Sequence, residues 1–380
     1  MAVRGQLSEE DVGALARAFS SAESWSFTHY VHLRVFAHAV ARLNLPDLPA
    51  NLSFGDALRA LDELRAERVS PWPTHESVLD STLSELGYES TSAAITRVRD
   101  ANAASWREHG LANKELLLRG AERAAGTRAV VVGAGKLYDI PLRKLAERFE
   151  QLVLVDIDAA AMAESVKQVG LEPKLQARLS LVQADVTGIN DVFLERARVA
   201  LELPNEAEVY AEVIRLLHDF YVEKPPRLVP ERTAEPLDFA CSSMVLSQLA
   251  TPLTQYVQAR FVARFPASPL GQGQELQTAL SQFTHRVQQA HVRSLLAAAK
   301  CVALSSDVSD QYTALDAHGR LLQAPQRLPL IGVPHLDALI PRLEARAVLT
   351  AGWQWHHVVP TRSKPQGRTL QVAGVIAERI

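Results

Sequence analysis

Two glycines and three carboxylates, each set just beyond a run of apolar residues, are where this 380-residue chain could do chemistry. The run AVVV, residues 129–132, delivers the backbone to Gly133 and Gly135. Without side chains at those positions the main chain can approach a ligand closely. A helix following the turn would aim its N-terminal N–H groups at the same place. The next run, QLVLV, closes on Asp156, 21 residues beyond Gly135, where a carboxylate can accept hydrogen bonds from two ribose hydroxyls. A third run, LSLVQ, leads to Asp185, an acceptor for an adenine amino group. Three strand ends meeting at one sheet edge would form a nucleoside-sized crevice.

These residues need a scaffold, and the pattern from Arg128 onward supplies one. Strand-length apolar runs alternate with helical segments such as IPLRKLAERF and AAAMAESVKQVG. That alternation signals a parallel, doubly wound α/β sheet. LDFACSSMV and KCVALSSDV read as the fourth and fifth strands. Helical sequence over 192–221, followed by the proline-rich EKPPRLVPERTAEP, reads as an insertion or lid over about residues 190–235. The last two runs, GWQWHHVVP and TLQVAGVIAER, are joined only by TRSKPQGR. That link has no room for a crossover helix, so the two should pair as an antiparallel hairpin. Residues 1–120 read as a separate all-helical domain, with Ser8 as N-cap of the first helix and proline-bearing breaks between later ones. Its last helix spans about 92–124, and residues 121–380 make the second domain.

Two nucleoside ligands suit such a crevice, a nicotinamide dinucleotide and S-adenosylmethionine (SAM). The dinucleotide pattern wants a third glycine, for tight helix–strand packing beside a pyrophosphate, where Tyr138 stands. Asp139 beside it would repel a diphosphate and suits the ammonium of a methionine moiety.

GAGKLYD, VDID, QADV, FACSSMV and the closing hairpin together resemble motifs I to IV of class I SAM-dependent methyltransferases, over roughly residues 105–380. The resemblance implies a seven-stranded Rossmann-like sheet of order 3-2-1-4-5-7-6, SAM as cofactor, and methyl transfer to an oxygen or nitrogen of a small molecule. It also implies that Gly133, Ala134 and Gly135 cradle the methionine part, with Asp139 near its amino group. Asp156 with Ile157 would hold the ribose, Asp185 with Val186 would flank the adenine, and Cys241 and Ser242 would lie beneath the sulfonium. The fourth motif departs from the amino-methylating DNA enzymes, which carry Asp/Asn-Pro-Pro-aromatic where this chain has Cys241-Ser242-Ser243-Met244. No cysteine stands in a Pro-Cys context either, so a nucleic-acid base is disfavoured as acceptor. An aminopropyl- or aminocarboxypropyl-transferase would share the crevice. A nicotinamide oxidoreductase and a non-catalytic scaffold are the other rivals.

Transfer to oxygen or nitrogen asks for alignment and a base. Asp307, His335 and His356 are the candidates. Asp307 and Asp310 follow the fifth strand, whose end borders the acceptor site in this family. His335 sits in a later loop. His356 and His357 are adjacent on a strand, so at most one faces a given pocket. Trp353 and Trp355 share a face and read as core, as does the Trp25–Val40 stripe. His29 and His32 sit one helical turn apart with no completing ligand, and a packed or solvated helix face is the plainer reading.

Composition narrows the partners. A net charge of −3 provides no global field toward nucleic acid or an anionic membrane. Two cysteines, Cys241 and Cys301, make no disulfide framework. The N-terminus has no signal-peptide pattern and no apolar run is long enough to span a bilayer. A cytoplasmic protein without a metal is expected, and a homo-oligomer is compatible with these features.

Overall fold

The computed structural model describes residues 82–220, 236–316, 345–361 and 364–379, with isolated residues and short pieces between 318 and 343. The expected features at Ser8, Trp25–Val40, His29, His32 and His335, and nearly all of the proline-rich segment, lie outside the described residues.

Two helices lead into the sheet, α1 (Tyr88–Ala101) and α2 (Ala103–Arg123). The single helix expected over 92–124 is broken at Asn102, whose side-chain amide donates to the Val98 carbonyl and whose oxygen receives the Val359 N–H. Then follow β1 (Arg128–Val132), α3 (Leu142–Arg148), β2 (Gln151–Asp156), α4 (Ala159–Val169), the one-turn α5 (Pro173–Gln176) and β3 (Leu179–Gln183). The insertion holds α6 (Asn190–Leu201) and α7 (Glu206–Asp219), which Asn205 separates by capping the Glu208 N–H. After these come β4 (Leu237–Ser243), α8 (Thr251–Arg264), α9 (Gln274–Ala298), β5 (Ala299–Ala314), β6 (Gln326–Pro329), β7 (Ala345–Val358) and β8 (Gln366–Arg379).

The sheet runs β3-β2-β1-β4-β5-β8-β7. The first five of these strands are parallel, and β8 enters antiparallel between β5 and β7. This is the order the resemblance implies, with one addition: β6 pairs antiparallel with the far end of β5. β5 is also longer than KCVALSSDV, because β8 keeps pairing past a bulge between Asp307 and Ser309. Asp307 and Asp310 are therefore inside the strand, not after it.

Alternation along the strands splits the core in two. Val130, Val132, Val155, Ala240 and Leu304 face a layer built by α6 to α9, while Val131, Leu154, Phe239, Cys241 and Ala303 face α2, α3 and α4. Gly120 lets α2 sit tightly on the sheet, since a Cβ there would come within 2.9 Å of the Phe239 ring. That packing places α2 in one compact unit with the sheet. Cys241 and Cys301 are buried, unpaired thiols on neighbouring strands.

Candidate functional site

The carboxyl ends of β1, β2 and β4 meet at the glycine turn. Gly133 and Gly135 both take left-handed backbone, φ +76° and +40°. A Cβ on Gly133 would run into Val245 at 1.9 Å, and one on Gly135 would crowd the Asp156 carboxylate at 3.4 Å. α3 begins only at Leu142, so it does not continue directly from the turn. In its place the turn offers its own N–H groups: Gly135 donates to Asp156 Oδ2 at 2.8 Å. Asp158 donates to Asp156 Oδ1 at 2.9 Å. Each carboxylate oxygen has a second lone pair, enough for a diol. Burial pushes the Asp156 pKa up to about 6 against the pull of these N–H donors. Ala134 is buried beneath the turn, and the Ile157 carbonyl accepts from the Gln183 side chain at 3.2 Å.

Asp139 is held by residues far away in sequence. Its Oδ2 receives Ser243 Oγ at 2.8 Å and Asn113 Nδ2 at 3.2 Å. Asn113 spends its amide nitrogen on Asp139 and Ser243, leaving its Oδ1 buried without a donor among the described residues. An acceptor pair made of Asp139 and the Asn113 oxygen is the surrounding an ammonium needs. His109 completes the cluster, with Nε2 at 3.9 Å from Asp139 Oδ2. Its Nδ1 accepts from the Trp353 indole N–H at 3.0 Å. Desolvation holds the His109 pKa down at about 4, so the ring is neutral near pH 7 and its proton sits on Nε2, toward Asp139. Asn113, His109 and Ser243 escape sequence reasoning because α2 brings two of them, and no local pattern ties that helix to β4.

Asp185 turns back on its own loop. Its carboxylate accepts from the Thr187 N–H and hydroxyl and from the Asn190 N–H, at 2.9, 2.6 and 2.9 Å, which ties the β3 end to the start of α6. Tyr88 stands over the same corner, receiving Asn190 Nδ2 at 3.3 Å. Burial, reinforced by the charges of Asp185 and Asp156, raises its pKa. Val186 is partly buried against the core.

On β4 the alternation separates the two residues expected beneath the sulfonium. Cys241 faces the α2 layer, where burial raises its pKa. Ser242 points through the sheet to His291 Nε2 on α9 at 3.0 Å, a contact inside the opposite core layer. Ser243, not Ser242, is the hydroxyl beside Asp139.

Farther along the same α2-facing surface, Asp307 accepts from the Ser247 hydroxyl, and burial raises its pKa. Asp310 lies in register with Leu370 of β8, and Leu370 with Trp355 of β7. Trp355 stacks on His109, with ring centroids 3.9 Å apart and planes 11° from parallel. His357 joins Trp106 and Trp355, whereas His356 is exposed and its Nδ1 meets Thr369 Oγ1 at 3.1 Å. Of the two adjacent histidines, it is His357 that faces this cluster. A cavity of about 390 Å³ between α1, α4 and residues 136–138 shares no lining with Asp139, Asp156 or Ser243.

Sheet order, inserted antiparallel strand and glycine turn together give this chain the Rossmann-like fold of class I methyltransferases. No family profile and no curated protein matches the sequence. Among solved structures it is similar to a putative RNA methyltransferase from Pyrococcus horikoshii, at 8% identity and TM-score 0.33, covering 71% of this chain and 84% of that one. It is also similar to the CcbJ methyltransferase from Streptomyces caelestis, at 8% identity and TM-score 0.34, covering 70% and 95%. Magnesium protoporphyrin IX methyltransferase from Synechocystis, solved with SAM bound, is 11% identical at TM-score 0.32, covering 74% and 84%. Among the described residues no helix is long and apolar enough to cross a membrane.

Proposed function

We propose that the chain is a SAM-dependent methyltransferase acting on an oxygen or nitrogen nucleophile of a small molecule. The observation that carries this is the pairing of Asp156, gripped by the Gly135 N–H and retaining lone pairs for a diol, with Asp139, set beside the unpartnered Asn113 oxygen. One carboxylate suits a ribose and the other an ammonium. A dinucleotide would instead put a diphosphate against Asp139, which repels it.

Gly133, Ala134, Gly135, Asp139, Asn113 and Ser243 would hold the methionine part, and Asp156 and Ile157 the ribose. Asp185, Val186 and Tyr88 would border the base. Bound SAM supplies an electrophilic methyl group. The chain supplies alignment, a desolvated surface and a proton acceptor. Asp307 is the base in this reading: its pKa lies above the ordinary carboxylate range, and the Ser247 hydroxyl fixes its orientation.

Calorimetric titration with SAM, S-adenosylhomocysteine and NADH, on the native chain and on Asp156→Ala, tests the reading. Micromolar binding of SAM or its product that Asp156→Ala abolishes is expected. Tight NADH binding with no response to either would overturn it. Methylthioadenosine as the product, in place of S-adenosylhomocysteine, would point to an aminopropyl- or aminocarboxypropyl-transferase. Binding without turnover of any acceptor would favour a non-catalytic scaffold.

A further inference from the structure

Three buried polar atoms with no partner among the described residues gather around the α2-facing surface where β5, β8 and β7 run past the glycine turn: Asp310 Oδ1, Trp355 Nε1 and His357 Nδ1. Buried polar groups are ordinarily paired, and an unpaired set in one place asks for a ligand. Asp310 is 4% exposed and Trp355 8%. The Asp310–Arg368 pair shows how the opening is made. Arg368 Nε and one terminal nitrogen both converge on Asp310 Oδ2, at 2.8 and 2.6 Å, leaving Oδ1 without a partner among the described residues. A fork-to-fork pair, the usual arrangement of these groups, would have used both oxygens. The carboxylate is thus neutralised on one side and left as an acceptor on the other.

Around these atoms the walls are aromatic. Trp106 meets Trp355 edge to face at 4.7 Å, His109 stacks on Trp355, and Met244 and Leu370 complete the apolar patch. Met244 itself is held in left-handed backbone, φ +54°, by its N–H to the Ser305 carbonyl at 3.0 Å. Through His109 the patch touches Asp139, and Asp307 lies on the same strand face as Asp310.

We infer that this surface is the acceptor site and that it takes an aromatic molecule that bears a hydroxyl group and no negative charge. The inference rests on the methyltransferase reading of the neighbouring crevice. A hydroxyl matches the unpartnered set: it donates to Asp310 Oδ1 and accepts from the Trp355 indole N–H, which can only donate. An anion would face both Asp310 and Asp307, two carboxylates against the one guanidinium of Arg368. The flat apolar body is accommodated by Trp106, Trp355 and Met244.

The test uses the full chain and three probes, 2-naphthol, naphthalene and 2-naphthoate, by saturation-transfer NMR and competition. S-adenosylhomocysteine affinity is measured on the same samples. Expected are binding of 2-naphthol, naphthalene weaker by about tenfold or more, and no 2-naphthoate binding. Asp310→Asn and Trp355→Phe should each weaken 2-naphthol by about tenfold and leave S-adenosylhomocysteine unchanged. The second of these keeps the aromatic packing should the first disturb Arg368. Equal binding of all three probes, preference for the carboxylate, or indifference to both variants would overturn the inference. So would absence of binding by all three while S-adenosylhomocysteine saturates, with the cofactor reading left intact. Binding of 2-naphthol without S-adenosylhomocysteine would instead undo the cofactor reading.

Discussion

The two ends of this sheet edge hold their carboxylates differently. At the β1–β2 end the acids are held before any ligand arrives: Asp156 by two backbone N–H groups, Asp185 by its own loop, Asp139 by Ser243 and Asn113. At the β5–β8–β7 end, Asp310 Oδ1, with Trp355 Nε1 and His357 Nδ1, is buried without a partner among the described residues. A cofactor common to many reactions can be met by a pre-organised site, with hydrogen bonds already oriented. An acceptor site gains discrimination differently, because polar atoms left unpaired penalise every molecule that fails to match them.

The sharpest way to break the first end is Gly133→Ala. Its Cβ would collide with Val245 in a backbone already at positive φ. A loss of S-adenosylhomocysteine affinity of about 100-fold or more is expected by calorimetry, with destabilisation of about 2–4 kcal/mol in denaturant titration. Gly170→Ala is the control. It also has positive φ but open space around it, and should cost only about 1 kcal/mol with binding unchanged.

Asp156 gives the next largest effect, with a pH signature. Its folded pKa is raised from the ordinary 3.8 to about 6, so the folded state holds the proton more tightly than the unfolded chain. The stability this confers is full below pH 4 and disappears as pH rises through 6, a difference of about 3 kcal/mol. Native protein without cofactor should therefore gain melting temperature between pH 7 and pH 5 relative to Asp156→Asn. Parallel profiles for the two proteins would show that Asp156 is not buried as described.

At the second end, Asp307→Asn separates chemistry from binding. Turnover of a methylated acceptor should fall by about 100-fold or more with S-adenosylhomocysteine affinity kept, in line with loss of a general base. The smallest effect is expected at the junction. Ser243→Ala removes one donor from Asp139, and S-adenosylhomocysteine should bind only about tenfold more weakly, since Asn113 still holds the carboxylate.

What the sequence revealed follows the same division. Strand ends were legible at Gly133 and Asp156 because buried parallel strands are short unbroken apolar runs that stop abruptly, and at Asp185 although β3 is a half-exposed edge strand. The hairpin was legible because TRSKPQGR is too short for a helix. Side-chain direction was not. Alternation says that Ser242 and Ser243, or His356 and His357, face opposite ways, but only the register and the bulges in β5 and β7 decide which of them faces the site. Nor could the sequence bring Asn113 and His109 to Asp139, since those contacts depend on how α2 lies across the sheet. The break at Asn102 was missed for a related reason, as its side chain is engaged by the Val359 N–H from the distant hairpin.

The most direct test of the central claim is a crystal structure of the chain grown with S-adenosylhomocysteine. The account predicts both ribose hydroxyls within about 2.5–3.0 Å of the Asp156 carboxylate and the amino group against Asp139 and the Asn113 oxygen. A ligand seated elsewhere, with Asp156 still bonded only to Gly135 and Asp158, would contradict it.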